Sequence, residues 1–245
     1  MKRVVLISGV SSGIGEATCL EFKRQGWYVI GVGRRQPSHE IDRFEYVDLS
    51  ESDGVARLFD RLSDVQQIHA LINNAAIGID KPMDETTDEE WQTVFDVNVK
   101  SAFQMIRECR PYLEATNGTV VNVSSVHALA TSVNVAAYAS SKGALVALTR
   151  ASSLELASLG IRCNAVLPGA VATPMLESGL NRRSHPDGPE GNRKNLIEKT
   201  PLGFIATPDQ IAPTIVHFAD NEQTPYLTGQ TLVVDGGAVA RLSTE

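Results

Sequence analysis

The feature that most constrains this chain is a near-unbroken alternation of short β-branched runs with longer amphipathic stretches. Strand-like runs fall at 4–8, 28–32, 44–47, 70–73, 119–123, 161–166 and 231–234, and helix-like stretches at 14–25, 54–62, 88–113, 136–158 and 208–219. Strands separated by helix-length segments pair in parallel, and their helices cover both faces of the sheet. The runs lack strict polar–apolar alternation, as strands buried on both sides do. The expected fold is α/β, one doubly wound parallel sheet in a single domain over 1–245.

Helix punctuation agrees. Thr87 precedes Asp88-Glu89-Glu90, an N-cap followed by carboxylates at the positive end of the helix dipole. Thr207-Pro208 places a capping residue before a proline in the first helical position. Gly26 and Gly160 each stand between a helix and a strand, suited to left-handed C-caps. The segment 174–206 breaks the alternation, with the turn-rich run Arg182-Arg183-Ser184-His185-Pro186-Asp187-Gly188-Pro189. A long irregular insertion of this kind reads as a substrate lid, with a mobile surface loop as the alternative.

Charge and cysteine usage narrow the partners. A net charge of -7 over 245 residues offers no basic stripe for nucleic acid or an anionic membrane. Cys19, Cys109 and Cys163 are odd in number and far apart, which argues against a disulfide framework and for a reducing compartment. The apolar run Val4-Val5-Leu6-Ile7 is too short for a signal core, and no stretch approaches a membrane span. A cytoplasmic protein is expected. His185 lies in no ligand spacing, so no metal is expected.

Ser8-Gly9-Val10-Ser11-Ser12-Gly13-Ile14-Gly15 follows the first strand and opens the first helix. Glycines let the backbone turn sharply toward a pyrophosphate, and the helix N-terminus supplies free N–H groups. The spacing Gly-x-x-x-Gly-x-Gly differs from the commoner Gly-x-Gly-x-x-Gly, but its strand–turn–helix setting points to a dinucleotide. An acidic residue after the second strand would bind the ribose 2′-hydroxyl of NAD, and an arginine the 2′-phosphate of NADP. Here Val32-Gly33 is followed by Arg34 and Arg35, with no carboxylate until Glu40. NADP is favoured, with Arg34 the first and Arg35 the second phosphate partner, and NAD is the alternative.

Tyr138-Ala139-Ser140-Ser141-Lys142 sets a tyrosine and a lysine four residues apart, on one helix face. A nearby ammonium would favour the phenolate and make tyrosine a usable acid and base. The glycine turn, Asn73-Asn74 after the fourth strand and Ser124-Ser125 after the fifth all fall at the carboxyl edge of the sheet, where open α/β sheets bind ligands.

With these residues in order, the chain resembles the short-chain dehydrogenase/reductase family over nearly its whole length. Gly9-x-x-x-Gly13-Ile14-Gly15, Asn73-Asn74-Ala75, Asn98, Ser125, the Tyr138/Lys142 pair and Pro168-Gly169 carry the resemblance. It implies a Rossmann-like fold and hydride transfer between nicotinamide and a ketone or secondary alcohol. It implies that Tyr138 moves the oxygen-bound proton and that Ser125 polarises the same oxygen. Lys142 would hold the nicotinamide ribose, and Asn98 would anchor a water in a proton relay. Ser11, Ser12 and Ile14 would line the phosphate turn. Asp48 would contact adenine, Asn74 the adenosine ribose region, and Val171 with Thr173 the nicotinamide amide. Ala76 stands where the family usually has glycine, so its methyl is expected to crowd the cofactor edge or resist a positive φ.

Weaker members carry simpler readings. Ser124 reads as structural and His127 as a plain loop histidine, with substrate contact as the alternative. Arg182, Arg183, Arg193 and Lys194 read as a solvated lid surface, with recognition of an anionic substrate, such as an acyl-carrier thioester or a carboxylate, as the alternative. The run 227–237 resembles the family's last strand, commonly a subunit contact, so a homotetramer is expected and a dimer is second choice. The rival functions are a catalytically silent dinucleotide-binding regulatory or structural protein, which would be expected to lose Tyr138 or Lys142, and an epimerase or dehydratase, for which little chain remains after Pro174.

Overall fold

A computed structural model describes residues 2–241; Met1 and 242–245 lie outside the described residues. Seven strands form one parallel sheet: β1 (Val4–Ser8), β2 (Tyr28–Gly33), β3 (Arg43–Tyr46), β4 (Ala70–Asn73), β5 (Thr119–Val123), β6 (Arg162–Pro168) and β7 (Thr231–Val234). Their order is β3-β2-β1-β4-β5-β6-β7. The winding reverses between β1 and β4, and that switch point opens the crevice in which such sheets bind ligands. Ser8 pairs with Val32, and Ile7 with Ile72, so the carboxyl ends of β1, β2 and β4 come out nearly level.

Helices α1 (Gly13–Arg24), α2 (Gly54–Arg61), α3 (Asp88–Phe95), α4 (Ser101–Glu114), α5 (Ala136–Glu155), α6 (Pro174–Arg182), α7 (Gly188–Lys199) and α8 (Pro208–Ala219) complete the chain. Because successive strand residues point to opposite faces, each strand feeds two cores. On one face Leu6, Leu71 and Val120 pack with Leu58 of α2 and Met105 and Leu113 of α4. On the other, Val5, Ile7, Ile72 and Val121 pack with Phe22 of α1 and Ile215 and Phe218 of α8. Each such side chain contributes about 1.5–3 kcal/mol by leaving water. None of the helices among the described residues is long and apolar enough to cross a membrane.

Capping follows the expected chemistry. Thr87 and Glu90 form a reciprocal capping box, with Glu90 N donating to Thr87 Oγ1 and Thr87 N to Glu90 Oε2. Thr207 N donates to Gln210 Oε1 at the start of α8.

Two stretches depart from the sequence reading. The single helix expected over 88–113 is broken by a π-helical turn at Asp96–Lys100, between α3 and α4. Amphipathic periodicity continues through it, so a one-residue widening leaves no trace in hydrophobic pattern. The segment 174–206 is not irregular but holds α6 and α7. Thr173 Oγ1 accepts Leu176 N at 3.3 Å, and a proline stands in the first turn of each helix. The helices escaped notice because they bury little, Leu180 in α6 and Gly191 in α7. A parallel bridge between Val171 and Ala206 ties the two ends of the segment together.

Candidate active site

The chain makes a sharp turn after β1. Gly9 has φ +76°, and a Cβ on Gly15 would lie 2.0 Å from the Gly9 carbonyl oxygen and 2.4 Å from Asn74 Nδ2. Only glycine fits either position. Asn74 Nδ2 donates to the carbonyls of Ser8 and Gly9, both at 3.0 Å, while Ser8 Oγ accepts the amides of Asn74 and Ala75, both at 3.1 Å. The Asn74 carboxamide therefore pins the turn. Ser12 precedes α1 and makes no side-chain cap, so the first-turn amides are left to a ligand. Ser11, Ser12, Gly13, Ile14 and Gly15 line one end of a cavity of about 380 Å³. Backbone donors on a helix N-terminus fit a pyrophosphate.

At that end the cavity is bounded by Arg34, Arg35 and Asp48. Arg34 Nη1 stands 3.7 Å from Asp48 Oδ2, and its side chain is 61% exposed. Burial pushes the Asp48 carboxyl up, but the amide and hydroxyl of Ser50 and the Arg34 charge outweigh it and hold it below the usual range. Val171, Thr173 and Ala76 also line the cavity. Among the described residues only Asn117 and Asn134 combine a side chain with positive φ, so the Ala76 methyl imposes no left-handed strain.

The other half of the cavity carries the proton-transfer groups. Ser125 ends β5's extension, and its Oγ accepts His127 N at 3.2 Å. The same hydroxyl acts on the Tyr138 phenol, which stands in the first turn of α5. Burial pushes the Tyr138 phenol up, the Ser125 hydroxyl pulls it partly back, and the Asp80 charge pushes it further up. Lys142 lies one turn on, its Nζ 5.6 Å from the Tyr138 ring centroid. It is 2% exposed, and burial lowers its amine to about 7. The ammonium that spacing alone suggested is thus only partly charged near neutral pH, and the net shift of Tyr138 is upward. Lys142 Nζ donates to Val123 O at 2.8 Å, one of its three donors. Ser124 Oγ donates to Lys142 O at 2.8 Å, a structural bond as expected.

Asn98 sits in the π-helical turn, 1% exposed. Its Nδ2 donates to Ile77 O and to Ser141 Oγ, each at 2.9 Å, and its Oδ1 accepts Ile77 N at 2.8 Å. Ser141 Oγ donates to Tyr138 O at 2.7 Å. Asn98 thus connects the loop after β4 to the helix that bears the tyrosine.

The substrate end corrects the reading of the basic cluster. Arg182 and Arg183 line the cavity, whereas Arg193 and Lys194 pair outside it with Glu177 and Glu198. Helix α6 brings its own C-terminus over the site, which no pattern in a mostly polar stretch could show. His127 also lines the cavity, its ring centroid 5.7 Å from that of Tyr138 in an edge-on contact, so it is not a plain loop histidine. Burial and then the Arg183 charge hold its pKa below the usual value, against the pull of Asp80. Asp80 and Gly78 were missed altogether. They lie in an unpatterned loop, and only the fold sets them beside Tyr138.

This arrangement has close parallels in known proteins. A family model described as enoyl-(acyl carrier protein) reductase matches residues 9–239. The 3-oxoacyl-(acyl carrier protein) reductase of Thermotoga maritima is 32% identical over 97% of this chain and 98% of its own length. Ligand-free aldohexose dehydrogenase of Thermoplasma acidophilum superposes with a TM-score of 0.92 at 29% identity, covering 99% of this chain and 96% of that one. A 4-hydroxyisoleucine dehydrogenase complexed with NADH has a TM-score of 0.89 at 27% identity, over 98% of this chain and all of the other. In sequence, sheet order and the build of its cavity, the chain belongs to the short-chain dehydrogenase/reductase family of nicotinamide-dependent oxidoreductases.

Proposed function

We propose that this enzyme is an NADP-dependent carbonyl reductase or alcohol dehydrogenase in which Tyr138 is the general acid and base. The observation that carries the proposal is the convergence of Ser125, Tyr138 and buried Lys142 on the cavity that the glycine turn opens. A bound nicotinamide supplies or accepts the hydride at the substrate carbon. Tyr138 delivers or removes the proton on the substrate oxygen, and Ser125 donates to that oxygen as charge develops. When protonated, Lys142 keeps two donors for a ribose hydroxyl and stabilises the tyrosinate. Asn98 positions the loop at Ile77 and, through Ser141, the first turn of α5, and holds the water through which the proton leaves. Val171 and Thr173 face the nicotinamide amide, and Asp48 the adenine.

The NADP preference rests on Arg34. Its only ion-pair partner among the described residues is Asp48 at 3.7 Å, a loose contact that a phosphate can replace with a charge-assisted bond. Arg35 supports it from the same wall. The NADPH preference points to reduction as the working direction. Helices α6 and α7 act as the substrate lid over 174–206. The enzyme works in the cytoplasm, where Cys19, Cys109 and Cys163, all buried and free, stay reduced. It assembles as a homotetramer through the β7 edge, where Leu232 is 41% exposed.

Calorimetric titration with NADPH and NADH side by side tests this reading. Tighter NADPH binding that Arg34→Ala weakens supports it. Tighter NADH binding, unaffected by that substitution, overturns the cofactor assignment, and binding of neither overturns the enzyme itself.

A further inference from the structure

The substrate end of the cavity holds an unbalanced charge. Arg182 is committed: its Nη2 donates to Ser178 Oγ at 2.8 Å and stands 3.5 Å from Asp80 Oδ2. His127 tends to the neutral form, and its Nδ1 is engaged with Thr131 Oγ1 at 2.9 Å. Arg183 is half-buried on the cavity wall and has no ion-pair partner among the described residues. Its backbone is fixed on both sides, with Arg183 N donating to Gly179 O at 3.3 Å and Asn192 Nδ2 donating to Arg183 O at 2.9 Å. An arginine whose backbone is held in place and whose guanidinium is left unpaired on the cavity wall is suited to meet an anion.

We propose that Arg183 recognises a single carboxylate on the substrate whose carbonyl or alcohol reacts at Tyr138. The inference rests on the ketone and alcohol reading above. The balance of Arg182, Asp80 and Arg183 is one uncompensated positive charge, which suits a monoanion, and the Asp80 carboxylate disfavours a dianion. Arg183 and Tyr138 line the same cavity, with the His127 ring edge-on to the tyrosine at 5.7 Å between centroids.

The test compares 4-oxopentanoate and 5-oxohexanoate with their methyl esters, using the full-length enzyme and NADPH. The free acids are expected to exceed the esters roughly ten- to hundredfold in kcat/KM, mostly through KM. Arg183→Gln is expected to erase that ratio, and Arg183→Lys to keep part of it. Lys194→Gln, an equal loss of charge outside the cavity, leaves the ratio as it is. Equal rates for acid and ester in the native enzyme, or a preference that survives Arg183→Gln, overturn the proposal while the oxidoreductase reading stands. If no ketone turns over, quenching of bound NADPH fluorescence by acid and ester decides. Acid-selective binding lost in Arg183→Gln upholds Arg183 though the reaction assignment falls, and equal binding overturns both.

Discussion

The carboxamide of Asn98 clasps the backbone of Ile77 in both directions, donating to its carbonyl at 2.9 Å and accepting its amide at 2.8 Å. A side chain from a π-helical turn thereby replaces the strand partner that the chain after β4 has lost. Its third bond, to Ser141 Oγ, ties this clasp to α5. Asn98→Ala would leave two part-buried backbone groups without their partner and take one donor from the Ser141 hydroxyl. A loss of about 1–3 kcal/mol in urea-unfolding stability is expected, with a larger fall in turnover than in cofactor affinity. An unchanged unfolding midpoint would show that water satisfies the clasp equally well.

Asp80 acts on Tyr138 at a distance. Its negative charge disfavours the tyrosinate, after the larger effect of burial. Removing it in Asp80→Asn makes ionisation easier and also releases the Arg182 charge, which acts in the same direction. The tyrosine limb of the pH–rate profile should therefore move to lower pH. Oxidation, which needs the deprotonated form, begins at lower pH, and reduction, which needs the proton, fails sooner as pH rises. A limb that stays in place would remove Asp80 from the electrostatics of the site.

Lys142 trades stability for function. Its folded pKa of about 7 lies below the ordinary lysine value of 10.5, so between the two the unfolded chain binds the extra proton. Stability tied to this group rises with pH across that window, and the burial penalty is largest at and below pH 7. Lys142→Met should stabilise the cofactor-free protein by about 0.5–2 kcal/mol near pH 7 while abolishing turnover. The gain should narrow as pH approaches 10. Denaturant midpoints of both proteins at several pH values check this, and a destabilised variant at pH 7 would contradict it.

Gly15 tests the phosphate turn without touching a charge. A methyl there meets a backbone carbonyl at 2.0 Å, which no rotamer change relieves. Gly15→Ala should cost about 1–3 kcal/mol in stability and weaken both dinucleotides alike, as calorimetry would show. Selective loss of one dinucleotide would place Gly15 in cofactor discrimination instead.

What could be read from the sequence was what a local pattern records. The strands, most helices and the glycine turn follow from apolar runs and from residues with one backbone use. The Tyr138/Lys142 pair was visible because helical spacing fixes it. The π-helical turn at Asp96–Lys100 was not, since it shifts register without changing periodicity. Asp80 was equally hidden, and nothing in the sequence singled Arg183 out from the other basic residues named with it. The two lie about a hundred residues apart in unpatterned stretches, and only the return of α6 over the sheet edge brings both to Tyr138's cavity. The fate of Lys142's charge needed burial, which a sequence shows poorly for a residue with polar neighbours on its helix.

The most direct test of the account is Tyr138→Phe, with NADPH affinity and ketone reduction measured on the same preparation. The substitution removes one hydroxyl from the cavity wall and leaves the ring in place. The account predicts near-native NADPH binding and a fall in turnover of about 10²–10⁴-fold. Turnover within a few fold of the native enzyme would contradict it, because the proton would then be moved by another group.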